Sequence, residues 1–193
     1  MQYTTDKKRG FTLIELLMVI AVIGILAAIL IPSVGAVKEK ANIAASKSQI
    51  SQYINAIEMF KGEYGYYPFV GDEDDVVNLS SDGEGGVDSK EFIETLNGKE
   101  TDNNRRGIEF HGFSQSEFYL DQATGKIDDE QLADRFGNTK IKIMIDGDGD
   151  GELDPGEHIE ENSELDPPDT VRAKVIAWVE ENDDLDAPAY SLW

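Results

Sequence analysis

FTLIELLMVIAVIGILAAILI, residues 11–31, is apolar at 18 of its 21 positions, and Glu15 is the one residue in it that carries charge. At 1.5 Å of rise per residue, about 20 such residues cross a hydrocarbon core of roughly 30 Å. A run apolar on every face does not fit inside a domain this small, so the stretch reads as a membrane helix and not as a core helix. Ahead of it stands MQYTTDKKRG, whose Lys7, Lys8 and Arg9 crowd positive charge against the start of the span. The positive-inside bias then places the amino terminus in the cytoplasm and the rest of the chain outside it. A secretory signal would have a shorter apolar region, about 7–15 residues, followed by a small-residue cleavage site, and this span has neither.

Glu15 needs a partner. An acid at the centre of a spanning helix costs about 2.5–3.5 kcal/mol on insertion scales, and a place near the helix start lowers that cost without removing the need. The span itself holds no cation. A cut between Gly10 and Phe11 would supply one, because the new α-amine of Phe11 would lie one helical turn from Glu15, within reach of that residue in a neighbouring copy. The string Lys8-Arg9-Gly10-Phe11-Thr12-Leu13-Ile14-Glu15 resembles the processing site of type IV pilins and type II secretion pseudopilins. The resemblance implies that a prepilin peptidase cuts after Gly10, that the Phe11 amine is methylated, and that Glu15 guides assembly into a filament. It also implies a leader of residues 1–10 and a mature chain of 183 residues with a formal charge of −24.

Pro32 follows the apolar run, where a missing hydrogen bond would kink or loosen a helix. The helical pattern then resumes as an amphipathic half, residues 32–61, in which Ile43, Ile50, Ile54 and Ile57 line one face. Lys38, Lys40, Lys47 and Lys61 with Glu39 and Glu58 form the polar side. Gly62 and Gly65 predict the end of the helix, and Pro68 an extended exit. Tyr64-Gly65-Tyr66-Tyr67-Pro68 is similar to the run that closes the long helix in many major pseudopilins, and the tyrosines are expected to line the core.

Residues 62–193 form the expected head. From Val70 to Asn104 the sequence is rich in Asp, Gly and Ser, and reads as a loop with one short helix in it. Asp88 and Glu91 resemble a capping box, and Gly98 would end that helix. Arg105, Arg106 and His111 flank Ile108 and Phe110, and the lone His111 is expected to be structural or solvated. Strands are expected at Glu117–Leu120, Lys140–Ile145 and Val171–Val179, giving three or four antiparallel strands. The fold class is therefore α+β: a long N-terminal helix, half transmembrane and half amphipathic, packed on a small antiparallel sheet in a pilin-like way. Asp134-Arg135-Phe136-Gly137-Asn138 resembles the Asp-Pro-Trp-Gly-Asn turn of major pseudopilins, with Arg135 and Phe136 as departures. The tail Trp178–Trp193 resembles a diverged form of their carboxyl-terminal pattern, with Trp193 expected to pack.

Between Lys142 and Arg172 there are eleven acids and no Lys or Arg, a density that repels itself without a counter-ion. Within it, Asp146-Gly147-Asp148-Gly149-Asp150-Gly151-Glu152-Leu153-Asp154-Pro155-Gly156-Glu157 fits the twelve-residue calcium loop. In such a loop, Asp side chains at positions one, three and five coordinate, a Gly at six makes the turn, the seventh residue gives its carbonyl, and a Glu at twelve binds with both oxygens. Those roles fall to Asp146, Asp148, Asp150, Gly151, Glu152 and Glu157, with Asp154 reaching the ion directly or through water. Magnesium, which favours octahedral geometry and keeps its waters, fits less well. The flank Ile141–Ile145 reads as a strand, so the loop is expected to be grafted on a sheet edge and to staple structure. Asp183, Asp184 and Asp186 form a second, weaker acid cluster; the resemblance implies calcium near the carboxyl end, to which they would contribute.

The whole chain, 193 residues, has 39 Asp and Glu against 17 Lys and Arg, for a net charge of −22. That excludes a grip on nucleic acid through phosphate neutralisation. With no cysteine there is no disulfide framework and no thiolate site. No Ser-His-Asp set, phosphate loop or zinc site is discernible, and the lone His158 cannot make one, so no enzyme is expected. The expected function is that of a pseudopilin, most like a calcium-binding major (type G) subunit. It would be held in a bacterial inner membrane by one pass, head in the periplasm, and would build a filament with other pseudopilins on an inner-membrane secretion platform. The alternative is a type IV pilin of a surface pilus; a membrane-tethered calcium module that never polymerises is a third reading. Absence of cysteine favours the first over the second, since many type IV pilins resemble one another in a carboxyl-terminal disulfide loop.

Overall fold

The computed structural model describes residues 11–71, 73–80, 89–159 and 163–193. The chain divides into two compact units, one ending at Ala41 and one running from Asn42 to Trp193. Helix α1, Leu13–Tyr64, contributes to both. In the first unit it is apolar on all sides and uncovered: Leu13 is 82% exposed and Ile29 66%. The helix is long and apolar enough to span a membrane, and none of that apolar window is buried within the chain. Pro32 does not end it, since α1 continues without a break to Tyr64.

In the second unit the same helix has a buried face. Ile50, Tyr53, Ala56, Ile57 and Phe60 are all at most 1% exposed and recur at the three-to-four spacing that puts them on one side. The helix runs through Gly62, past the expected end, and stops where Gly65 takes a positive φ of 83° and donates its N–H to the Lys61 carbonyl at 2.8 Å. An L side chain would be strained in that conformation, so the second glycine and not the first is the terminator. Of the three tyrosines, Tyr67 is buried and Tyr64 packs on Phe60, whereas Tyr66 stays 46% exposed, so the expected core role holds for two of them.

The sheet has the order β1-β4-β5-β6, every pair antiparallel, from β1 (Asp75–Asn78), β4 (Ile141–Ile145), β5 (Val175–Val179) and β6 (Tyr190–Leu192). Between them in sequence lie α2 (Ser89–Leu96) and a two-stranded ribbon of β2 (Phe118–Leu120) and β3 (Ile127–Leu132). The expected strand at Val171–Val179 begins only at Val175; Val171 instead makes an isolated bridge with Leu153. Glu117 belongs to a 3-10 turn ahead of β2. Strands β1, β3 and β6 were not expected, because Asp75 and Asp128 to Glu130 break the apolar alternation that marks a strand and β6 is only three residues long. The capping box at Asp88 lies outside the described residues; Gly98, with φ of 91°, does close α2 as expected.

Ile141, Ile143, Ile145, Val175, Ala177 and Val179 face the α1 core, while Met144, Ile176 and Trp178 point to the other side. That second side is covered as well, by Leu153, Ile159, Leu165, Val171 and Ala173 from the long acidic loop. Both faces being dry explains why β5 is apolar at every position.

Two polar knots lock the head. Asp134 opens the turn to β4: its Oδ1 accepts the N–H groups of Phe136 at 2.8 Å and Asn138 at 2.9 Å, and its Oδ2 accepts the Tyr190 hydroxyl at 2.8 Å. Asn138 donates to the Glu180 carbonyl at 2.7 Å, and Gly137 supplies a φ of 80°. The turn thus relies on Asp134, Gly137 and Asn138, and the side chains of Arg135 and Phe136 take no part in these bonds. The second knot centres on buried Glu117. Its Oε2 accepts the Tyr53 hydroxyl and bonds His111 Nε2, both at 2.9 Å, and its Oε1 accepts the Ser114 N–H at 2.9 Å and hydroxyl at 2.8 Å. His111 is therefore structural, as expected.

Burial raises the Glu117 carboxyl, but the bonds from His111, Ser114 and Tyr53 outweigh it and bring it down from 4.5 to about 2. A carboxyl depressed on folding adds stability that is complete above its unfolded value and is lost as pH falls toward the folded one. Urea unfolding of the full chain in detergent should show Glu117→Gln about 2–3 kcal/mol less stable than the parent at pH 6. That difference should shrink between pH 4.5 and about 2; a gap that is constant across this range would show that the carboxylate charge is not what holds the knot.

Candidate functional site

Two places in the chain gather the residues singled out by sequence. The first is the start of α1. Glu15 Oε2 accepts the Thr12 N–H and the Thr12 hydroxyl, each at 2.8 Å, and the Glu15 N–H reaches back to Thr12 Oγ1 at 3.3 Å. This is a reciprocal capping box that satisfies backbone N–H groups left free by the first turn of any helix. The carboxylate that lacks a cation therefore has local hydrogen bonds, and its Oε1 has no partner among the described residues. Sequence reasoning looked for charge and missed Thr12, although the Thr-x-x-Glu spacing is the signal for such a box. Gly10, the other processing residue, lies outside the described residues; Phe11 is 82% exposed.

The second place is the turn after β4. Asp146 is buried, 3% exposed, and its two oxygens accept the N–H groups of Gly149 at 2.7 Å and Gly151 at 3.1 Å. Asp148 accepts the Asp150 N–H at 2.9 Å, and Asp150 accepts that of Glu152 at 2.7 Å. Each acid thus folds the chain around itself in successive side-chain-to-backbone turns. Gly149 and Gly151 adopt φ of 79° and 80°, conformations that other residues rarely hold.

Among the described residues, one group of three carboxylates has oxygens all within 4.8 Å of one another, that of Asp146, Asp148 and Asp74. Asp150, Glu152, Asp154 and Glu157 are not in that group. Glu152 bonds Arg172 Nε at 3.2 Å, and Asp154 and Glu157 are exposed around the 3-10 turn Pro155–His158. Three hard carboxylate oxygens suit a hard divalent cation, with Glu152 still placed at the seventh position to offer its carbonyl. Asp74 was not expected. Its signal is the acid run Glu73-Asp74-Asp75 leading into β1, whose register opposite β4 pairs Asp75 with Ile145 and so sets Asp74 beside Asp146. Burial raises the Asp74 carboxyl, the N–H groups of Gly147 and Asp148 oppose this, and the charges of Asp148 and Asp146 add to it.

Gly147 joins the two segments. Its N–H donates to Asp74 Oδ1 at 3.0 Å, and a Cβ on it would sit 1.9 Å from the Glu73 carbonyl oxygen. Gly147→Ala should therefore lower the melting temperature of the head by roughly 3–10 °C, equivalent to about 1–3 kcal/mol. Gly156→Ala, with nothing within 4 Å of its would-be Cβ, should change it little in the same circular-dichroism melts.

Residues 5–31 match the prokaryotic N-terminal methylation motif. The chain is 44% identical over 64 residues to the type II secretion system core protein G of Escherichia coli, a match covering 33% of this chain and 44% of that one. It is 37% identical over 62 residues to the protein of the same description from Pectobacterium carotovorum, covering 32% and 40%. A type IV wide pilus major component of Thermus thermophilus is 42% identical over 59 residues, 31% of this chain and 45% of that one. The matched segments thus span less than half the length of these relatives. No solved structure matches the chain significantly.

Proposed function

We propose that this chain, whose first third is that of the type IV pilin and pseudopilin family, is a structural subunit of a type II secretion pseudopilus. The observation that carries the reading is the motif from Gly10 to Glu15 set at the head of an uncovered apolar helix. Cleavage after Gly10 by a prepilin peptidase would free the Phe11 amine. In the lone chain Glu15 keeps Oε2 on Thr12, so Oε1 is the atom that would accept the Phe11 ammonium of a neighbouring copy. Such an ion pair, formed where water is scarce, is far stronger than the same pair in solution. It would select the axial register between neighbours while the apolar faces supply the contact area. Lys7, Lys8 and Arg9 support an amino terminus in the cytoplasm and a head in the periplasm of a bacterial inner membrane.

The same reading gives calcium a structural role. Asp146, Asp148 and Asp74 would hold the ion, with Asp150, the Glu152 carbonyl, Asp154 and Glu157 available to fill its shell. This chain's residues then do the work of alignment: the Asp146 turn sets the loop, and Asp74 ties it to β1. A surface type IV pilin is the second reading, favoured by the similarity to the Thermus thermophilus pilus component. Each reading makes the chain a subunit and not an enzyme.

Glu15→Ala should leave the protein inserted in the membrane and cleaved after Gly10, yet abolish filaments seen by electron microscopy. Normal filaments from that variant would defeat the pairing. For the ion, sites of this kind outside the cytoplasm bind at roughly 10⁻⁴–10⁻³ M, so calcium at about 10 mM should stabilise the head by about 1.4–2.7 kcal/mol. Chelation should remove that gain from the parent and leave Asp148→Ala unchanged; equal melting with and without calcium would end the proposal.

A further inference from the structure

The charge of the second unit has no part in the reading above, and it is extreme. From Asn42 to Trp193 there are 36 Asp and Glu against 12 Lys and Arg, a net charge of −24. Residues 11–41 hold two acids, Glu15 and Glu39, and two lysines, Lys38 and Lys40, and balance. The described ion pairs take up only Glu63, Glu94, Glu117, Glu130, Glu152 and Glu180. Asp129, Glu164, Asp166 and Asp169 are exposed, and no hydrogen bond or ion pair engages their carboxylates among the described residues.

Copies joined through α1 must bring these second units close together. A net charge this far from zero keeps molecules apart in solution, and nothing in residues 11–41 offsets it. The repulsion reaches about 10 Å at 0.1 M salt and about 3 Å at 1 M. The attraction between apolar helices does not depend on salt in this way. We propose that mobile cations gate assembly: at low ionic strength a second copy is held off by the acidic surface, and it packs only when salt screens that surface. This rests on the filament reading and adds to it a condition on the medium. It is a property of the whole acidic surface and calls for no second ion site.

The test uses the full chain, processed by a co-produced prepilin peptidase, purified in detergent and diluted to start assembly at fixed, saturating calcium. The critical concentration for filaments should fall on the order of tenfold between about 0.1 and 1 M NaCl, with KCl acting equally. A variant carrying Asp129→Asn, Glu164→Gln, Asp166→Asn and Asp169→Asn should reach the same critical concentration at lower salt. Circular-dichroism melts establish that it is folded, and the pair Asp129→Asn with Glu164→Gln replaces it if it is not. A critical concentration that is flat or rises with salt overturns the proposal. So does an identical salt curve for parent and variant, which would assign the effect to salting-out of apolar surface. A parent that is inserted and cleaved but forms no filament at any salt overturns the filament reading itself.

Discussion

Among the described residues the large apolar side chains from Phe11 to Ile29 stay exposed, and this uncovered surface is the constraint from which the rest follows. Apolar area on this scale stays out of water only against lipid or against other copies of the same helix. The two coverings differ in what they could offer a buried acid: lipid has no donor, whereas under the proposed assembly a neighbouring copy would bring its Phe11 amine. Glu15 meets the first situation with Thr12, whose backbone N–H and hydroxyl both reach the same carboxylate oxygen. Among the described residues the second oxygen has no partner, so under the proposed assembly it would take a neighbour's donor without the first being stripped of its bonds. The capping box would thus lower the cost of holding that acid in lipid.

In the second unit the problem is the reverse, because acids are plentiful and apolar residues must be placed with economy. The sheet is covered on one face by the Ile50 to Phe60 stripe and on the other by five apolar residues of the loop between β4 and β5. Those five are spread through a tract that is otherwise acidic and exposed. The loop therefore behaves as a lid, pinned by Leu153, whose backbone bridges Val171 in both directions. Asp148 and Asp150 are held off the dry face by the turns they themselves form, whereas Asp146 stays buried because both its oxygens are bonded.

Much of this was legible in the sequence, and what was not has physical reasons. The helix, its change from all-round apolar to one-sided, strands β4 and β5, and the α+β class all rest on periodicity. Glu117 and Asp134 are buried acids, and sequence reasoning saw neither knot, because each is completed by a tyrosine hydroxyl from far along the chain, Tyr53 for Glu117 and Tyr190 for Asp134. The ribbon strand β3 carries Asp128, Asp129 and Glu130 on an exposed face, so no alternation marks it. In the acidic loop Asp146 and Asp148 could be picked out from local spacing, while Asp74 is 72 residues earlier in the chain and joins them only through the β1–β4 register. Local patterns are written in neighbours along the chain, and register is not.

Asp74 alters the physical meaning of the acidic loop. A site made only of residues 146–157 would stiffen one turn and leave the sheet indifferent to the ion. With Asp74 on the lead-in to β1 and Asp146 at the end of β4, an ion between them would bridge two hydrogen-bonded strands at the point where their ladder ends. It would also neutralise the three carboxylates that most resist being brought together. Loop closure costs free energy that grows with the length closed, and among the described residues the lid between β4 and β5 is held by its apolar contacts, the Leu153–Val171 bridge and a few side-chain bonds. A cation at its root would therefore act on the lid as well as on the ladder. The Gly147 contact with the Glu73 carbonyl, too tight for any side chain, shows that the two segments meet closely there.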